Sequence, residues 1–194
     1  MKFEGTKTFA NLAKAFAGES QARNRYVFSA SVAKKDGFQA IGSTFLETAE
    51  NEQEHAKVFY KLLVKYAPST DVIHVRADYP LEYKDTLANL KAAAEGEREE
   101  WEIIYSEFGD IAEQEGFAEI AAAFRNIASV ENHHYLRYLG LAKAVETSTL
   151  FKKDITTDWK CTNCGYIHQG STAPDICPAC IHPQGFFIDL PQNY

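Results

Sequence analysis

A duplicated Glu-x-x-His motif constrains the fold of this chain more than any other feature. Glu52-x-x-His55 recurs 79 residues later as Glu131-x-x-His134. Each copy follows a Gly-Phe pair by the same interval, and the apolar residues between pair and motif keep a spacing of three and four. That spacing is typical of one face of an α-helix. The sequence therefore predicts one helical hairpin that occurs twice.

Helical spacing of apolar residues extends over four long segments. We expect helices from Thr8 to about Lys35, from Phe38 to the residues before Pro68, from about Leu81 to Glu113, and from Phe117 to about Val145. Asp-Gly and Glu-Gly turns join the first pair and the last pair, and a longer crossover at 68–80 joins the two pairs. Short, long and short connections are typical of a ferritin-like four-helix bundle with one crossover. The chain is thus predicted to be mainly α over residues 1–147.

The last part of the chain differs in composition from the bundle. Residues 148–158 are polar, lack a helical stripe and are interpreted as a linker. Residues 159–194 hold all four cysteines and are too few to bury a self-sufficient apolar core, so they need a covalent or metal staple. We therefore expect a small metal-stapled domain built of β-strands and loops.

Charge and composition exclude several classes of function. The net charge is -7 and the pI about 5.4, without a cluster of Lys and Arg, which argues against a nucleic-acid partner. No apolar run is long enough to cross a bilayer, so we expect no membrane partner. The N-terminus lacks the apolar core of a signal peptide, so we expect a cytoplasmic location. In that compartment, paired Cys-x-x-Cys motifs favour a metal site over disulfides.

Four glutamates lie inside the apolar stripes of the predicted helices, where a buried carboxylate costs several kcal/mol unless it is paired or bound to a cation. They are Glu19, Glu52, Glu97 and Glu131. A salt-bridge network with Arg23 or Arg125 is one explanation. The other is a di-metal site, because one Glu from each of two helices plus Glu-x-x-His from the other two is a known di-metal template. Carboxylates with two imidazoles suit iron or manganese.

Glu100 breaks the repeat. It follows Glu97 by three residues and so faces the same site, whereas its counterpart in the first half is Ala22. It is either a surface glutamate at the edge of the stripe or a ligand that one metal uses in only one oxidation state. A more positive metal pair gains more from an additional carboxylate.

The four cysteines form two Cys-x-x-Cys pairs, Cys161/Cys164 and Cys177/Cys180, separated by twelve residues. Four thiolates at this spacing can hold one tetrahedral zinc or iron ion. A zinc ribbon is the alternative. An iron centre would give the di-metal site a source of electrons, which a zinc module would not.

Several motifs together resemble the rubrerythrin family, a ferritin-like di-iron domain followed by a rubredoxin-like domain. They are the segment 17–26, Glu52-x-x-His55, Gly96-Glu97-x-x-Glu100, Glu131-x-x-His134, and the Cys-x-x-Cys-Gly-Tyr and Cys-Pro-x-Cys knuckles. The resemblance covers the chain nearly end to end. Ile181 departs from it, because many rubredoxins have Gly after the last cysteine.

The resemblance implies a ligand set for each centre. The di-iron ligands would be Glu19, Glu52, His55, Glu97, Glu100, Glu131 and His134, with Glu52 and Glu131 bridging, and Cys161, Cys164, Cys177 and Cys180 would hold one iron. In this family one iron exchanges His55 for Glu100 on oxidation. Tyr26 lies on the face of Glu19 and either hydrogen-bonds a ligand or a bound oxygen species or packs in the core; Tyr105 is similar.

The activity that the resemblance implies is reduction of hydrogen peroxide to water, with electrons relayed through the rubredoxin-like iron. They would come from NAD(P)H through a separate reductase or rubredoxin, because the chain has no Gly-rich dinucleotide motif. A head-to-tail homodimer or higher homo-oligomer would bring the two centres together. A ferroxidase or iron-handling protein and a non-enzymatic bundle with a structural zinc ribbon are the alternatives.

Overall fold

The computed structural model describes residues 2–190, and the last four residues of the predicted C-terminal domain lie outside them. The helices are α1 (Lys7–Lys35), α2 (Gln39–Tyr66), α3 (Thr86–Glu99), α4 (Tyr105–Gln114) and α5 (Ala118–Glu146). A five-residue π-helical segment, Glu100–Ile104, joins α3 to α4 into one continuous rod. The predicted four long helices are therefore confirmed, with α3 and α4 together forming the third.

The two hairpins are held together by matched contacts at their ends. The amide and hydroxyl of Thr8, in the first turn of α1, both donate to Glu115. Thr86, in the first turn of α3, donates in the same two ways to Asp36. Asp36 and Glu115 each precede the glycine of a hairpin turn. The first turns of α1 and α3 thus each contact an acidic side chain of the other hairpin. A negative charge at this place complements the partial positive charge of the helix N-terminus.

The π-helical segment explains an irregularity of the repeat. The spacing between the halves is 78 residues at Gly18 and Gly96 but 79 at Gly37 and Gly116, so the second half holds one additional residue between these positions. The structure accommodates it as the π-bulge, where the amide of Tyr105 donates to the carbonyl of Glu100. The insertion places Tyr105 at the position that Tyr26 occupies in α1.

The crossover is longer than the sequence predicted. It covers residues 67–85, and α3 begins at Thr86 rather than near Leu81. The Asp85 side chain accepts from the Ala88 amide and so caps the helix there. Leu81 is fully exposed and Tyr83 is 63% exposed, so neither belongs to a buried helical stripe. The prediction from apolar residues alone therefore places the start of α3 too early.

The C-terminal region contains an antiparallel sheet of order β2-β1-β3. Its strands are β1 (Lys152–Cys161), β2 (Ile167–Thr172) and β3 (Phe187–Asp189). The prediction of a small β and loop domain is confirmed, but β1 starts inside the expected linker 148–158. Six of the seven residues from 152 to 158 are polar and its burial does not alternate, so the period-2 signal of a strand is absent.

This domain rests on the turn between α1 and α2. The rings of Phe38 and Phe151 stack with centroids 6.4 Å apart. Gly185 approaches so closely that a Cβ on it would overlap the carbonyl oxygen of Gly37. The cysteines therefore lie beyond one end of the bundle. Within residues 2–190 the structure contains no helix with the length and apolarity that membrane crossing requires.

Candidate metal centres

Four buried glutamates and two histidines meet between the helices at mid-bundle. Their ligand atoms form two sets, each with all atoms within 4.8 Å of one another. One set is Glu19, Glu52, His55 and Glu131, and the other is Glu52, Glu97, Glu131 and His134. Glu52 and Glu131 belong to both sets. This is the arrangement expected of two metal positions with two carboxylates between them.

The histidine Nδ1 atoms converge on the carboxylates. Nδ1 of His134 lies 2.8 Å from Glu131, 3.2 Å from Glu52 and 3.5 Å from Glu97. Nδ1 of His55 lies 2.9 Å from both Glu52 and Glu131. One ring nitrogen carries at most one proton and cannot satisfy several carboxylates at once. A cation at the centre of each set can.

Unsatisfied buried atoms lead to the same conclusion. Among the described residues, side-chain oxygens of all four glutamates and Nδ1 of His134 lack a partner in hydrogen-bonding geometry. Buried polar atoms are normally paired, so a group of unpaired ones at one point indicates a site that fits a cation. The arginines that could have formed a salt-bridge network are elsewhere, since Arg23 contacts Asn24 and Arg125 contacts Asp110 and Glu113 at the surface.

The carboxyl and imidazole groups of the cluster have strongly shifted pKa values. Burial, followed by repulsion from Glu131, Glu52 and Glu100, raises the pKa of Glu19 well above its usual value. Burial lowers the pKa of His55, but the close approach of its Nδ1 to the Glu131 and Glu52 carboxylates outweighs burial and raises the pKa to about 10. For His134 the same balance gives a pKa of about 12. These shifts show that the cluster favours positive charge between its carboxylates.

Two tyrosines connect the halves of the cluster crosswise. The Tyr26 hydroxyl on α1 donates to Glu97 on α3, and the Tyr105 hydroxyl on α4 donates to Glu19 on α1. Both tyrosines are buried. Of the roles considered for Tyr26, the structure shows a hydrogen bond to a carboxylate of the cluster. Each tyrosine fixes the orientation of a glutamate that contributes to one set alone.

Glu100 lies beside the cluster without joining either set. It is half-buried at the start of the π-helical segment. Burial and then repulsion from Glu97, Glu131 and Glu52 raise its pKa well above the usual value. It is therefore not a fully exposed surface glutamate. Six other glutamates of the helices are exposed by contrast, namely Glu47, Glu50, Glu54, Glu95, Glu99 and Glu102.

Asn51 contributes to the site without any signal in the sequence. Its Oδ1 lies 3.2 Å from Nε2 of His134, the ring nitrogen on the side away from the cluster. Such a contact orients a ligating imidazole and leaves Nδ1 free for a metal. Residue 130, the repeat counterpart of Asn51, is valine, so the repeat gave no indication of this role.

The four cysteines form a second centre. The Sγ atoms of Cys161 and Cys180 are 3.8 Å apart, those of Cys164 and Cys177 are 3.7 Å apart, and all four lie within 4.8 Å of one another without a disulfide. Four sulfurs about 2.3 Å from a tetrahedral ion are separated by about 3.8 Å. The spacing fits a single iron or zinc ion.

The two knuckles share a hydrogen-bond pattern but not a residue type. Gly165 donates its amide to Cys161, and Ile181 donates its amide to Cys177. Both adopt the left-handed conformation, with φ of 81° and 60°. Glycine accepts this conformation freely, while a β-branched residue is strained in it. Ile181 thus preserves the knuckle at the cost of local strain.

Comparisons with known proteins agree with both centres. The family model described as Rubrerythrin matches residues 10–142, and the model for the rubrerythrin rubredoxin-like domain matches 159–188. The chain is 53% identical to rubrerythrin-1 of Clostridium acetobutylicum, with 98% of each chain covered. It is 48% identical to a rubrerythrin of Porphyromonas gingivalis, covering 98% of this chain and 94% of that protein.

Solved structures support the same fold. A mixed-valence nigerythrin matches with a TM-score of 0.63 and 28% identity, covering 96% of this chain and 90% of its own. A bacterioferritin of Desulfovibrio desulfuricans matches with a TM-score of 0.66 at 18% identity over 73% of this chain and 81% of its own, which shows the ferritin-like fold alone. The chain therefore belongs to the rubrerythrin family, as a di-iron protein with a C-terminal rubredoxin-like iron domain.

Proposed function

We propose that this protein is a peroxidase that reduces hydrogen peroxide to water. The observation that carries the proposal is the pair of overlapping ligand sets that share Glu52 and Glu131. Two ferrous ions bound there would supply the two electrons that, with two protons, convert one peroxide into two water molecules. The family assignment and the four-cysteine centre in the same chain support a redox role for the cluster.

The side chains have distinct proposed roles in this reaction. Glu52 and Glu131 would bridge the two irons, while Glu19 with His55 and Glu97 with His134 would each complete one iron site. Tyr26 and Tyr105 hold two of the carboxylates in place through their hydroxyls. Their pKa values are raised well above normal by burial and by the adjacent glutamates, so both hydroxyls stay protonated and able to donate.

Glu100 is the proposed residue that makes the pair reactive. It places a carboxyl group beside the cluster, whereas its repeat counterpart Ala22 places none. We propose that this carboxylate replaces His55 as a ligand after oxidation. A carboxylate stabilises the more positive pair better than a neutral imidazole does, so the exchange favours oxidation.

The path of the electrons is also a proposal. The cysteine centre lies beyond the α1–α2 turn at Gly37. Glu52 follows Gly37 by fifteen residues, which corresponds to roughly 20 Å of helix. That separation favours a head-to-tail homodimer in which the cysteine-bound iron of one chain serves the cluster of the other. A separate NAD(P)H-dependent reductase, or a free rubredoxin, would reduce the cysteine centre in the cytoplasm.

A stopped-flow experiment tests the peroxidase proposal. Anaerobically reduced, iron-loaded protein is mixed in turn with hydrogen peroxide and with dioxygen, and the visible band of the ferric four-cysteine centre is followed. We expect fast return of colour with peroxide and slow return with dioxygen. Faster return with dioxygen would instead support a ferroxidase or oxidase. No colour with either oxidant, in protein whose cysteine centre contains zinc, would support the structural alternative.

A further inference from the structure

A cavity of about 200 Å³ lies outside the carboxylate cluster, between α1 and α3 and beneath the crossover. Its inner wall includes Glu100 and Tyr105. Tyr105 is the residue whose hydroxyl donates to Glu19. Only the side chain of Glu19 therefore lies between Tyr105 on the inner wall of the cavity and the proposed metal positions.

The outer wall is formed by the crossover. Tyr79 lines the cavity, and its hydroxyl donates to the backbone carbonyl of Lys14 on α1, at 3.1 Å. This hydrogen bond attaches an otherwise irregular segment to the bundle. Tyr79 is 38% exposed, so its ring lies between the cavity and solvent.

Gly18 leaves a gap between this tyrosine and the cluster. A Cβ on Gly18 would lie 3.7 Å from Cε1 of Tyr79 and 3.9 Å from Oε1 of Glu100. Both atoms thus flank one point at ordinary contact distance, which is about 3.5–4.0 Å. A single methyl group added at this point would therefore already contact both Tyr79 and Glu100.

The other half of the bundle lacks this arrangement. The repeat counterpart of the crossover would follow α5, where the chain instead enters β1. The residue 79 positions after Tyr79 is Asp158, within that strand. The covered cavity therefore occurs on the side of the bundle that also holds Glu100.

We propose that this cavity is the route by which the oxidant reaches the cluster, and that Tyr79 determines its specificity by admitting hydrogen peroxide and excluding bulky organic hydroperoxides. The proposal rests on the proposed peroxidase function. It adds a selectivity for oxidant size and a residue in the crossover that controls it.

The first test compares oxidants of different size. Reduced, iron-loaded full-length protein is mixed with hydrogen peroxide or tert-butyl hydroperoxide, and second-order rate constants are measured for wild type, Tyr79→Ala and Tyr79→Phe. We expect Tyr79→Ala to accelerate the reaction with tert-butyl hydroperoxide at least tenfold while the hydrogen peroxide rate stays within about threefold. Tyr79→Phe retains the ring and should retain the selectivity.

Tyr83→Ala is the matched control, because Tyr83 lies on the same crossover but is 63% exposed and does not line the cavity. It should change neither rate. An unchanged ratio of the two rates in Tyr79→Ala, or an equal change in Tyr83→Ala, would overturn the specificity role.

The second test requires no turnover. Azide binding to the oxidised iron-loaded protein is followed by its absorbance in wild type and Gly18→Ala. The added methyl fits at ordinary contact distance but occupies the gap, so we expect azide association to slow about tenfold with unchanged iron content. Gly140→Ala, a helix glycine with nothing within 4 Å of its Cβ, controls for the general effect of alanine in a helix.

The two tests separate this inference from the peroxidase proposal. If hydrogen peroxide fails to oxidise the reduced protein, the proposed function is wrong, while slow azide binding in Gly18→Ala would still support the route. A wild-type azide rate in Gly18→Ala would overturn the route even in an active peroxidase.

Discussion

The residues at the carboxylate cluster are largely matched between the two halves of the bundle, and we propose that the unmatched ones govern reactivity rather than metal binding. Glu19 and Glu97, the two Glu-x-x-His motifs, and Tyr26 and Tyr105 are matched between the halves. These matched residues build two similar metal positions. The second half adds Glu100 and a π-bulge without counterparts in α1, and the crossover covers the face beside them. Duplication thus accounts for holding a metal pair, and the unmatched residues make its two faces unequal.

Removing matched ligands should have the largest effect. Glu131→Ala and Glu52→Ala each delete a carboxylate that belongs to both sets, so we expect near-complete loss of both bundle irons. Glu19→Ala and Glu97→Ala each delete a carboxylate of one set and should mainly remove one iron. Iron analysis, corrected for the cysteine-bound ion, distinguishes the two outcomes. Equal losses in all four variants would contradict the assignment of shared and single ligands.

The effect of Glu100 should be measurable in the pH dependence of the thermal stability of the metal-free protein. Because burial and like charges raise the pKa of Glu100 in the folded state, its contribution to stability is present near pH 4.5 and is lost as the pH rises towards the raised value. Glu100→Gln cannot ionise, so its advantage in Tm over wild type should grow to several degrees at pH 8. Thermal unfolding at pH 5 and pH 8 measures this difference, and an advantage that shrinks with pH would contradict it.

The histidines contribute to the same trend. His55 and His134 have folded pKa values of about 10 and about 12, above the usual 6.5. Their stabilising contribution is complete below pH 6.5 and is lost as the pH rises through those values. Bound iron requires deprotonated carboxylates and neutral imidazoles, so loading the protein should reverse the trend between pH 5 and pH 8.

Tyr26→Phe and Tyr105→Phe each remove one of the two matched hydrogen bonds to the cluster. Each leaves a buried carboxylate oxygen unpaired, which costs about 1–3 kcal/mol. We expect similar losses in the free energy of unfolding for the two variants, measured by denaturant titration of metal-free protein. A loss confined to one of them would mean that the crosswise hydrogen bonds are not equivalent.

The matched helix caps should have the smallest effect. Asp36→Ala removes the hydrogen-bond acceptor at the N-terminus of α3, and Glu115→Ala removes the acceptor at the N-terminus of α1. We expect each to reduce the free energy of unfolding by about 1 kcal/mol. Glu113→Ala, close to Glu115 but paired with Arg125 at the surface, is the control and should change stability less.

The sequence predicted the parts of the structure that rest on periodicity and repetition. The bounds of α1 and α2, the buried glutamates and the grouping of the cysteines follow from apolar spacing and repeated motifs. The start of α3 did not, because Leu81 is apolar yet exposed and the helix begins at its Asp85 cap. Strand β1 did not either, because it is polar and forms partly through pairing with β2.

The π-bulge has a signal in the sequence, although apolar periodicity does not reveal it. The change in repeat spacing from 78 to 79 marks the residue that the π-bulge accommodates. The contacts of Asn51 and Tyr79 had no such signal, because they depend on how distant segments meet in three dimensions. Local pattern specifies which elements form, and tertiary contact decides which side chains support the site.

The role proposed for Glu100 is tested most directly by the reaction of Glu100→Ala with hydrogen peroxide. The reduced, iron-loaded variant is compared with wild type and with Glu99→Ala, whose exposed side chain is the adjacent control. We expect Glu100→Ala to keep both bundle irons but to react with peroxide at least tenfold more slowly, while Glu99→Ala reacts like wild type. A wild-type rate in fully loaded Glu100→Ala would contradict the claim that the unmatched carboxylate makes the metal pair reactive.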